Sequence, residues 1–349
     1  MIRIGLAGCG FIGTIHSFVL RQLGDAGLVD ARVTGTFDPD PARAEAIAAH
    51  HGARAYSDLG ALLDACDVAW VCTWTAAHRE VVEAAAERGL PVFCEKPLAP
   101  TLPECEAVAA ALERVPHQVG LVLRHAPVFE AIAGTVASGR YGAPMAAILR
   151  DDQYFPVQGI YASEWRSDVA RAGGGTLIEH SIHDVDVLRW ILGDPADVTA
   201  RTGSRFGYPG IDDIATLTFS YANAGIATIV SVWHQILTRG STRRLEVFCE
   251  EALLWTDDDY LGPLHVETSA GAETVDLPAP PWLERLDVPA ALAKPLGQYA
   301  TPTKDFLQTL AAGGGRCGSP SAVEALAAHR LVDLAYRSAR AGGAPLAVA

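Results

Sequence analysis

The chain has 349 residues, of which 50% are hydrophobic and 19% charged, and its formal net charge at pH 7 is −14. This length predicts two domains, and the apolar content is typical of a folded globular protein rather than a disordered one. The acidic balance disfavours nucleic acid or an anionic membrane as a partner. Because the opening apolar run is short and no run approaches the ~20 residues of a membrane span, we expect a soluble protein without a signal peptide.

The seven cysteines are scattered along the chain and include no Cys-x-x-Cys pair. An odd number without metal-ligand spacing favours reduced thiols over a disulfide framework or a zinc site. We therefore expect a cytoplasmic protein.

Strand-like and helix-like segments alternate through the first 123 residues. Apolar runs predict strands at 2–7, 31–37, 67–73, 91–94 and 118–123. The intervening segments predict helices at 11–23, 41–50, 78–88 and 103–114. This alternation indicates right-handed βαβ units around a parallel sheet, so residues 1–123 are predicted to form an α/β domain.

Beyond about residue 124 the pattern changes to that of an antiparallel sheet. Further strands are predicted at 214–221, 226–233, 245–255 and 265–277. Helices are predicted at 176–192 and at 323–340, where Val323, Leu326, Leu331 and Leu334 predict a buried face. The proline-rich segment 277–295 predicts an ordered surface excursion. Residues 124–349 are thus predicted to form an α+β domain with a large, mostly antiparallel open sheet, the last helix packing within it or back on the first domain.

Gly8, Gly10 and Gly13 form a G-x-G-x-x-G sequence directly after a predicted strand and at the start of a predicted helix. In such a turn the first glycine makes the tight bend, the second lets the backbone approach a pyrophosphate, and the third packs the helix against the strand. The helix N-terminus adds amides and a partial positive charge. This setting predicts a Rossmann dinucleotide-binding domain, and a purely structural glycine turn is the alternative.

Asp38 ends the second predicted strand, 25 residues after Gly13. A carboxylate at this position accepts hydrogen bonds from the adenosine ribose hydroxyls and repels a 2′-phosphate. We therefore expect NAD as the cofactor, and NADP is the alternative because Arg43 is near in sequence. Asp40 is interpreted as a turn residue.

Lys96 lies in Glu95-Lys96-Pro97, just past the predicted strand 91–94. The carboxyl ends of strands in a doubly wound sheet face the ligand crevice. Lys96 is therefore a candidate for the active site, and a solvated surface lysine is the alternative.

The helix predicted after three glycines contains two pairs of acidic and imidazole side chains. Glu179 and His183 are four residues apart and share a helix face, as do His180 and Asp184. Imidazole titrates near neutral pH and can accept a hydroxyl proton, and a carboxylate one turn away can orient it or bind a substrate hydroxyl. A structural histidine is the alternative at each position. A metal site including Asp186 is disfavoured because clustering alone supports it.

Together these sequences resemble the family that includes glucose–fructose oxidoreductase and inositol dehydrogenase (Gfo/Idh/MocA). The resemblance covers nearly the whole chain. It rests on the glycine turn, Val71-Cys72-Thr73 with His78, Glu95-Lys96-Pro97, residues 119–124, Trp165-Arg166 and residues 173–186. It implies a Rossmann domain followed by a mixed, mostly antiparallel sheet that binds substrate and whose outer face makes homodimer or homotetramer contacts.

The resemblance also implies site residues, with two departures from the family pattern. Lys96 and His183 would contact the reacting hydroxyl, with Glu179 where the family often has aspartate and Trp74 where it commonly has proline. The residues implied for the cofactor are Gly8, Gly10, Phe11, Ile12, Gly13, Asp38, Thr73, Trp74, His78, Glu95 and Lys96. Candidate substrate contacts are Arg124, Tyr154, Trp165, Arg166, His180 and His234. No metal is expected.

We therefore predict an NAD(P)-dependent oxidoreductase acting on a secondary alcohol or ketone of a sugar, sugar derivative or cyclitol. Hydride would pass between carbon and nicotinamide while His183 accepts the hydroxyl proton, Lys96 stabilises oxyanion charge and Glu179 holds a neighbouring hydroxyl or orients His183. One alternative is redox-neutral cleavage of a glycoside with a tightly bound, recycled cofactor. The other is a non-catalytic sugar or NAD sensor, which the retention of Lys96 and His183 disfavours.

Overall fold

The structure, a computed structural model, describes residues 1–257, 260–314 and 318–348. Six cysteines in these ranges are buried and not disulfide-bonded, whereas Cys317 lies outside the described residues. No helix in the described ranges is long and apolar enough to cross a membrane.

The chain divides into two compact units. The first comprises residues 1–122 and 279–326, and the second comprises 123–278 and 327–349. Residues 279–326 therefore belong to the first unit, although they lie within the sequence range assigned above to the second domain.

Strands and helices alternate through the N-terminal part of the first unit. In chain order they are β1 (Ile2–Ala7), α1 (Phe11–Asp25), β2 (Ala31–Phe37), α2 (Pro41–His51), β3 (Arg54–Tyr56), α3 (Leu59–Asp64), β4 (Val68–Val71), α4 (His78–Glu87), β5 (Val92–Cys94), α5 (Leu102–Leu112) and β6 (His117–Val119). These strands pair in parallel in the order β3-β2-β1-β4-β5-β6. The strand order reverses at β1 and β4, so the carboxyl ends of these strands border the crevice where such sheets bind ligands.

The strands of the first unit are apolar along most of their length. Leu6 on β1 is fully buried, and the ring of Trp70 on β4 stacks on that of Phe93 on β5 with centroids 4.3 Å apart. Strands buried on both faces appear in sequence as continuous apolar runs. This is why β1 could be predicted with its observed bounds, whereas β2 has alternating buried and exposed residues, the pattern of a half-buried strand.

The second unit is built on a mixed sheet with short helices. Its elements are α6 (Pro127–Ala137), β7 (Pro144–Tyr154), α7 (Val169–Ala172), α8 (Thr176–Glu179), α9 (Ile182–Leu192), β8 (Asp197–Gly203), β9 (Ile214–Ser220), β10 (Ile226–His234), β11 (Thr242–Cys249), β12 (Ala252–Trp255), β13 (Leu264–Thr268) and β14 (Gly271–Val275). The remaining elements of the chain are α10 (Ala290–Ala311), α11 (Ala322–Arg340) and β15 (Leu346–Ala347). The sheet has the order β14-β13-β12-β11-β7-β10-β9-β8-β15, and among its described strands only β7 and β10 pair in parallel. The predicted architecture, an α/β domain followed by a mostly antiparallel α+β domain, is confirmed.

The helix predicted at 176–192 is in fact two helices, α8 and α9. Ser181 between them has ψ of 1°, and its N–H donates to the Thr176 carbonyl at 2.8 Å, a wider turn than an α-helix makes. Glu179 therefore ends one helix and His183 lies in the first turn of the next. The prediction that they share one continuous helix was wrong.

Helix α10 was not predicted, because Pro295 and Pro302 lie inside it. The segment 277–295, predicted as a surface excursion, instead runs into this helix from residue 290. A proline in a helix interior costs about 3 kcal/mol. Burial of Phe306 and Leu307 in the core beside β1 and β4 offsets this cost.

Helix α11 has the predicted length but a different buried face. Val323, predicted to be buried, is 61% exposed, and Leu326 and Leu334 are only half-buried. The buried side chains are mostly small, Ala325, Ala328 and Ala335 among them, together with Leu331 and Val332. Alanine was a weak signal for burial in a chain rich in alanine, so the face was assigned to the larger residues.

Candidate functional site

The glycine turn between β1 and α1 is tightly packed on two sides and open on the third. A Cβ on Gly8, whose φ is +93°, would lie 2.3 Å from the carbonyl carbon of Cys72, and a Cβ on Gly13 would lie 2.1 Å from the Gly8 carbonyl oxygen. Nothing described lies within 4 Å of the Cβ position of Gly10. Phe11 and Ile12 begin α1 directly after it. The turn thus forms a cradle with room for a ligand at the helix N-terminus, where a pyrophosphate fits.

Asp38 follows β2 and lies beside this turn. Its Oδ2 accepts a hydrogen bond from Cys9 N at 2.7 Å, and its Oδ1 accepts one from Asp40 N at 2.9 Å. The carboxylate is therefore held next to the glycine turn, half-buried, with further lone pairs on both oxygens. Asp40 caps α2 through Ala42 N, and Arg43 pairs with Asp40 at 3.3 Å.

Glu95 and His16 form a buried pair beneath the Lys96 segment. His16 Nε2 lies 2.8 Å from Glu95 Oε1, and Glu95 Oε2 accepts a hydrogen bond from Lys96 N at 3.1 Å. Burial by itself raises the pKa of Glu95, but the hydrogen bond and charge of His16, aided by Lys96, outweigh burial and lower it. Glu95 packs so closely on Gly120 that a Cβ there would lie 2.7 Å from its carboxylate. Glu95, proposed for the cofactor from the resemblance, thus anchors the Lys96 backbone.

His78 holds the ends of two neighbouring strands. Its Nδ1 lies 2.7 Å from the Pro97 carbonyl oxygen, and its Nε2 lies 3.1 Å from the Thr73 carbonyl oxygen. The ring is buried, whereas Thr73 and Trp74 beside it are half-buried. His78 therefore positions the backbone after β4 and β5, the segments that contain Thr73 and Lys96.

In the second unit, Glu179 and His183 are both buried, at 2% and 8% exposure. Glu179 Oε2 accepts a hydrogen bond from Arg166 Nε at 3.1 Å, and the Arg166 guanidinium lies 4.4 Å from the centroid of the Trp165 ring. The sequence prediction did not foresee this ion pair. It connects two of the predicted substrate contacts to the predicted catalytic carboxylate.

His180 and Asp184 each have a partner outside their own helical segment. His180 Nδ1 lies 3.0 Å from Asp151 Oδ2, and Asp184 accepts a hydrogen bond from Arg243 Nε at 2.8 Å. Burial, and then the neighbouring carboxylate of Asp184, raise the pKa of Asp151 well above its usual range, against the opposing charge of Arg243. These residues form a buried charged cluster.

Arg124 is buried in a bidentate ion pair. Its Nε and Nη2 donate to the two carboxylate oxygens of Asp186 at 2.8 and 2.7 Å. This ion pair fixes the orientation of the Arg124 guanidinium, which stays a predicted substrate contact. Asp186, considered above as a metal ligand, is likewise engaged by Arg124. In the part of the chain that the structure describes, no three His, Cys, Asp or Glu residues are grouped to hold a metal.

The remaining predicted substrate contacts lie near the carboxyl ends of β7 and β10. Tyr154 is buried and its hydroxyl accepts a hydrogen bond from Ile160 N at 3.1 Å. His234 Nδ1 accepts from Ile236 N at 3.1 Å, so its Nε2 bears the proton directed at Asp152 Oδ2, 3.3 Å away. Trp165 is half-buried against the cluster that contains Phe155.

Sequence reasoning missed His16, Asp151, Asp152 and Arg243, which hold the site residues or their neighbours. Asp152 accepts hydrogen bonds from Thr242 Oγ1 at 2.6 Å and Arg239 Nη2 at 3.1 Å. The one available signal was charge within a segment that alternates like a strand, at residues 150–152. Buried charges are rare unless paired, so such a segment indicates partners elsewhere in the chain.

Two family profiles match this chain. The profile described as an oxidoreductase family with an NAD-binding Rossmann fold matches residues 2–122, and the Gfo/Idh/MocA C-terminal domain profile matches residues 129–254. Together they cover more than half of the chain, one on each side of the predicted boundary.

Named relatives agree with the profiles. Inositol 2-dehydrogenase of Ralstonia nicotianae is 36% identical over 55% of each protein, so the matched region spans about half of that relative's length. Inositol 2-dehydrogenase of Rhizobium meliloti is 28% identical, covering 97% of this chain and 96% of the relative. Levoglucosan dehydrogenase, solved with NADH and levoglucosan, has the same fold, with a TM-score of 0.86 and 23% identity over 99% of each chain. The chain belongs to the Gfo/Idh/MocA family of NAD-binding oxidoreductases, as the sequence resemblance predicted.

Proposed function

We propose that the protein oxidises a secondary alcohol of a cyclitol or sugar, or reduces the corresponding ketone, with NAD as the hydride carrier. The observation that supports this best is the pairing of Glu179, buried at the end of α8, with the Arg166 guanidinium, while His183 is buried in the first turn of α9. A carboxylate held in this way is ready to bind a hydroxyl, and a buried imidazole four residues further along the chain is a suitable proton acceptor. A sensor that only bound sugar would not need an acid–base group.

The first unit supplies the residues that would hold the cofactor. The open cradle at Gly10 suits the pyrophosphate, and the carboxylate of Asp38 suits the ribose hydroxyls. When bound, NAD supplies the nicotinamide carbon that takes up hydride. Two strands, β4 and β5, lie beyond the point at which the strand order reverses. The residues that follow them, Thr73, Trp74 and Lys96, are assigned to the nicotinamide end of the bound NAD.

In the proposed oxidation each residue has one task. His183 accepts the hydroxyl proton, which leaves the carbon free to release its hydride. Lys96 stabilises the negative charge that develops on the oxygen, and its backbone is held for this task by Glu95. Glu179 binds an adjacent hydroxyl of the substrate while Arg166 fixes the carboxylate. In the reverse direction His183 returns the proton to the ketone oxygen.

The inositol-oxidising relatives make a cyclitol the first substrate to test. The assay is the appearance of NADH absorbance with myo-inositol, other polyols and aldoses. His183→Ala should lower kcat by roughly 10²–10⁴ and leave NAD affinity nearly unchanged. The matched control is His265→Ala. This histidine lies on β13, and its ring stacks on that of Trp255 with the ring centroids 3.9 Å apart.

The results separate a catalytic His183 from a structural one. Oxidation by the wild type should increase with pH through the imidazole titration, since only the neutral ring accepts a proton. If His183→Ala melted at a lower temperature and lost NAD affinity together with activity, the residue would be structural. Near-normal turnover in this variant would remove it from the mechanism.

We also propose that the protein forms a homodimer or homotetramer through the outer face of the second unit's sheet. Ile148, Ile226 and Val230 lie on one face of β7 and β10 and are 45%, 51% and 39% exposed. Exposed apolar side chains grouped on one sheet face indicate a protein interface. Ile148→Lys with Val230→Lys should shift the mass measured by light scattering to that of the monomer.

A further inference from the structure

A single buried residue, Asp212, binds three consecutive backbone amides at the start of α8. Its Oδ1 accepts from Gly175 N at 2.8 Å, its carbonyl oxygen from Thr176 N at 2.7 Å, and its Oδ2 from Leu177 N at 3.0 Å. These N–H groups belong to the first turn of a helix, which has no carbonyl partners of its own for them. Asp212 thus satisfies three of the N–H groups at the N-terminus of α8.

Tyr336 on α11 holds Asp212 in turn. Its hydroxyl donates to Asp212 Oδ1 at 2.7 Å. A Cβ on Gly174 would lie 2.4 Å from the Tyr336 hydroxyl oxygen, and a Cβ on Gly175 would lie 1.8 Å from the Asp212 carbonyl oxygen. The last two glycines of the tri-glycine turn are therefore required by the close approach of Asp212 and Tyr336, a reason that the sequence pattern alone does not reveal.

Helix α8 needs such an anchor because it is very short. It spans Thr176–Glu179, and a single helical turn is unstable in water on its own. The break at His180 and Ser181 separates it from α9, so the longer helix does not fix its direction by continuity. Glu179 is the last residue of α8, four positions after the amide of Gly175.

We propose that Asp212, supported by Tyr336, is a positioning residue that fixes Glu179, and through the following turn His183, in their reactive orientation. This inference rests on the proposed function of Glu179 and His183. Asp212 acts by determining where α8 begins and which way it points.

The experiment compares Tyr336→Phe and Asp212→Asn with the wild type. Tyr336→Phe keeps the ring and removes the hydroxyl, with its hydrogen bond to Asp212 and its hydrogen bonds with the backbone of Ile178 and Gly175. Asp212→Asn keeps the shape but places an NH₂ group against an amide donor. Because a misplacement near 1 Å costs about 10²-fold in rate, kcat should fall roughly 10-fold in Tyr336→Phe and about 10²-fold in Asp212→Asn. The affinity for NAD should be unchanged. The acid limb of the kcat/KM profile should also move, because the surroundings of His183 change.

Asp213 provides a matched control in the next position of the chain. It is also buried, and its Oδ2 accepts from two backbone amides, Arg205 N at 2.7 Å and Phe206 N at 2.8 Å. Asp213→Asn should therefore lower the melting temperature about as much as Asp212→Asn, with kcat and the pH profile much closer to those of the wild type. If both variants lost the same fraction of kcat, Asp212 would be an ordinary structural carboxylate and the proposal would be overturned.

Hydrogen exchange of the backbone amides at 175–179 provides a readout that needs no substrate. Faster exchange there in Tyr336→Phe, without a change in the rest of the second unit, supports the anchoring role. Unchanged exchange together with kcat within twofold of the wild type would overturn it. If the wild type oxidises none of the polyols tested, the proposed function fails, while the exchange data still decide whether Asp212 holds α8. Should Asp212→Asn fail to fold, Tyr336→Phe alone decides the outcome.

Discussion

The buried pair of His16 and Glu95 should contribute far more to stability than an exposed pair of the same length. Both side chains are almost fully buried, and Glu95 has Lys96 N as its other hydrogen-bond donor at 3.1 Å. His16→Ala would leave a buried carboxylate without its imidazole, which costs about 3–5 kcal/mol for a buried pair. For a domain of this size, that loss lowers the melting temperature by roughly 6–20 °C. The assays are thermal melting and urea unfolding at pH 7.

The exposed pair of Arg79 and Glu83 on α4 is the control, because its N–O distance is also 2.8 Å. Arg79→Ala should lower the melting temperature much less, because solvent screens an exposed ion pair. Together with His16→Ala, the variants Glu95→Gln and His16→Ala/Glu95→Gln complete a double-mutant cycle. Their free energies of unfolding give the coupling energy between the two side chains. Since the pKa of Glu95 is lowered in the fold, the stability it confers is present above the ordinary glutamate pKa and disappears as pH falls below it. A loss in His16→Ala no larger than that in Arg79→Ala, or simple additivity in the cycle, would refute this reasoning.

Three further predictions concern the cofactor, the acid sensitivity and the joint action of the site residues. Asp38→Ser should narrow the preference for NAD over NADP, because it relieves repulsion of the 2′-phosphate. If calorimetry found that the wild type binds NADP more tightly than NAD, this role of the carboxylate would be contradicted. Burial, and then the charge of Arg21, lower the pKa of His51 from 6.5 to about 4. As the pH drops, the unfolded chain therefore binds a proton at this position before the folded chain does. The free energy of unfolding should fall between pH 6.5 and pH 4 for this reason. This loss should be absent in His51→Gln but retained in the exposed control His50→Gln, as urea unfolding at each pH will test. If Lys96 and His183 act on the same hydroxyl, the double variant Lys96→Met/His183→Ala should have a much higher kcat than the product of the two single-variant losses predicts. A double-variant loss equal to that product would show that the two residues act independently.

Most of the Rossmann part of the fold could be predicted from the sequence. The exceptions are β3 and α3, which were not predicted, and β6, which was predicted at 118–123 and lies at His117–Val119. The strands of this part are short apolar runs, and the bounds of β1 and β2 agree with the prediction residue for residue. The glycine turn was equally informative, because Gly8 and Gly13 have steric reasons that depend only on local packing of a strand, a turn and a helix. A local sequence pattern predicts local structure well when the side chains on each face of an element have the same kind of environment along its whole length.

The prediction failed where a local pattern was overridden by residues distant in sequence. Strand β7 went unpredicted because Arg150, Asp151 and Asp152 interrupt its apolar pattern. In the structure Asp151 lies 3.5 Å from Arg243, and Asp152 pairs with Arg239. A strand that buries charge is stable only with such partners, and no periodicity in the segment itself reveals them. The same holds for α10, whose prolines are tolerated because of packing on the first unit's core.

The site residues illustrate a more specific limit. Glu179, His180, His183 and Asp184 were predicted as a group, and their pairing was inferred from the spacing of one continuous helix. A turn at Ser181 with a hydrogen bond five residues back alters the relative direction of the side chains before and after it. After such a break, i and i+4 positions no longer share a face, so each side chain takes the partner that the surrounding elements supply: Arg166 for Glu179, and Asp151 for His180. Helical spacing therefore identifies which side chains are near a site, whereas hydrogen bonds from elements distant in sequence determine how each is oriented and which of them can act on a substrate.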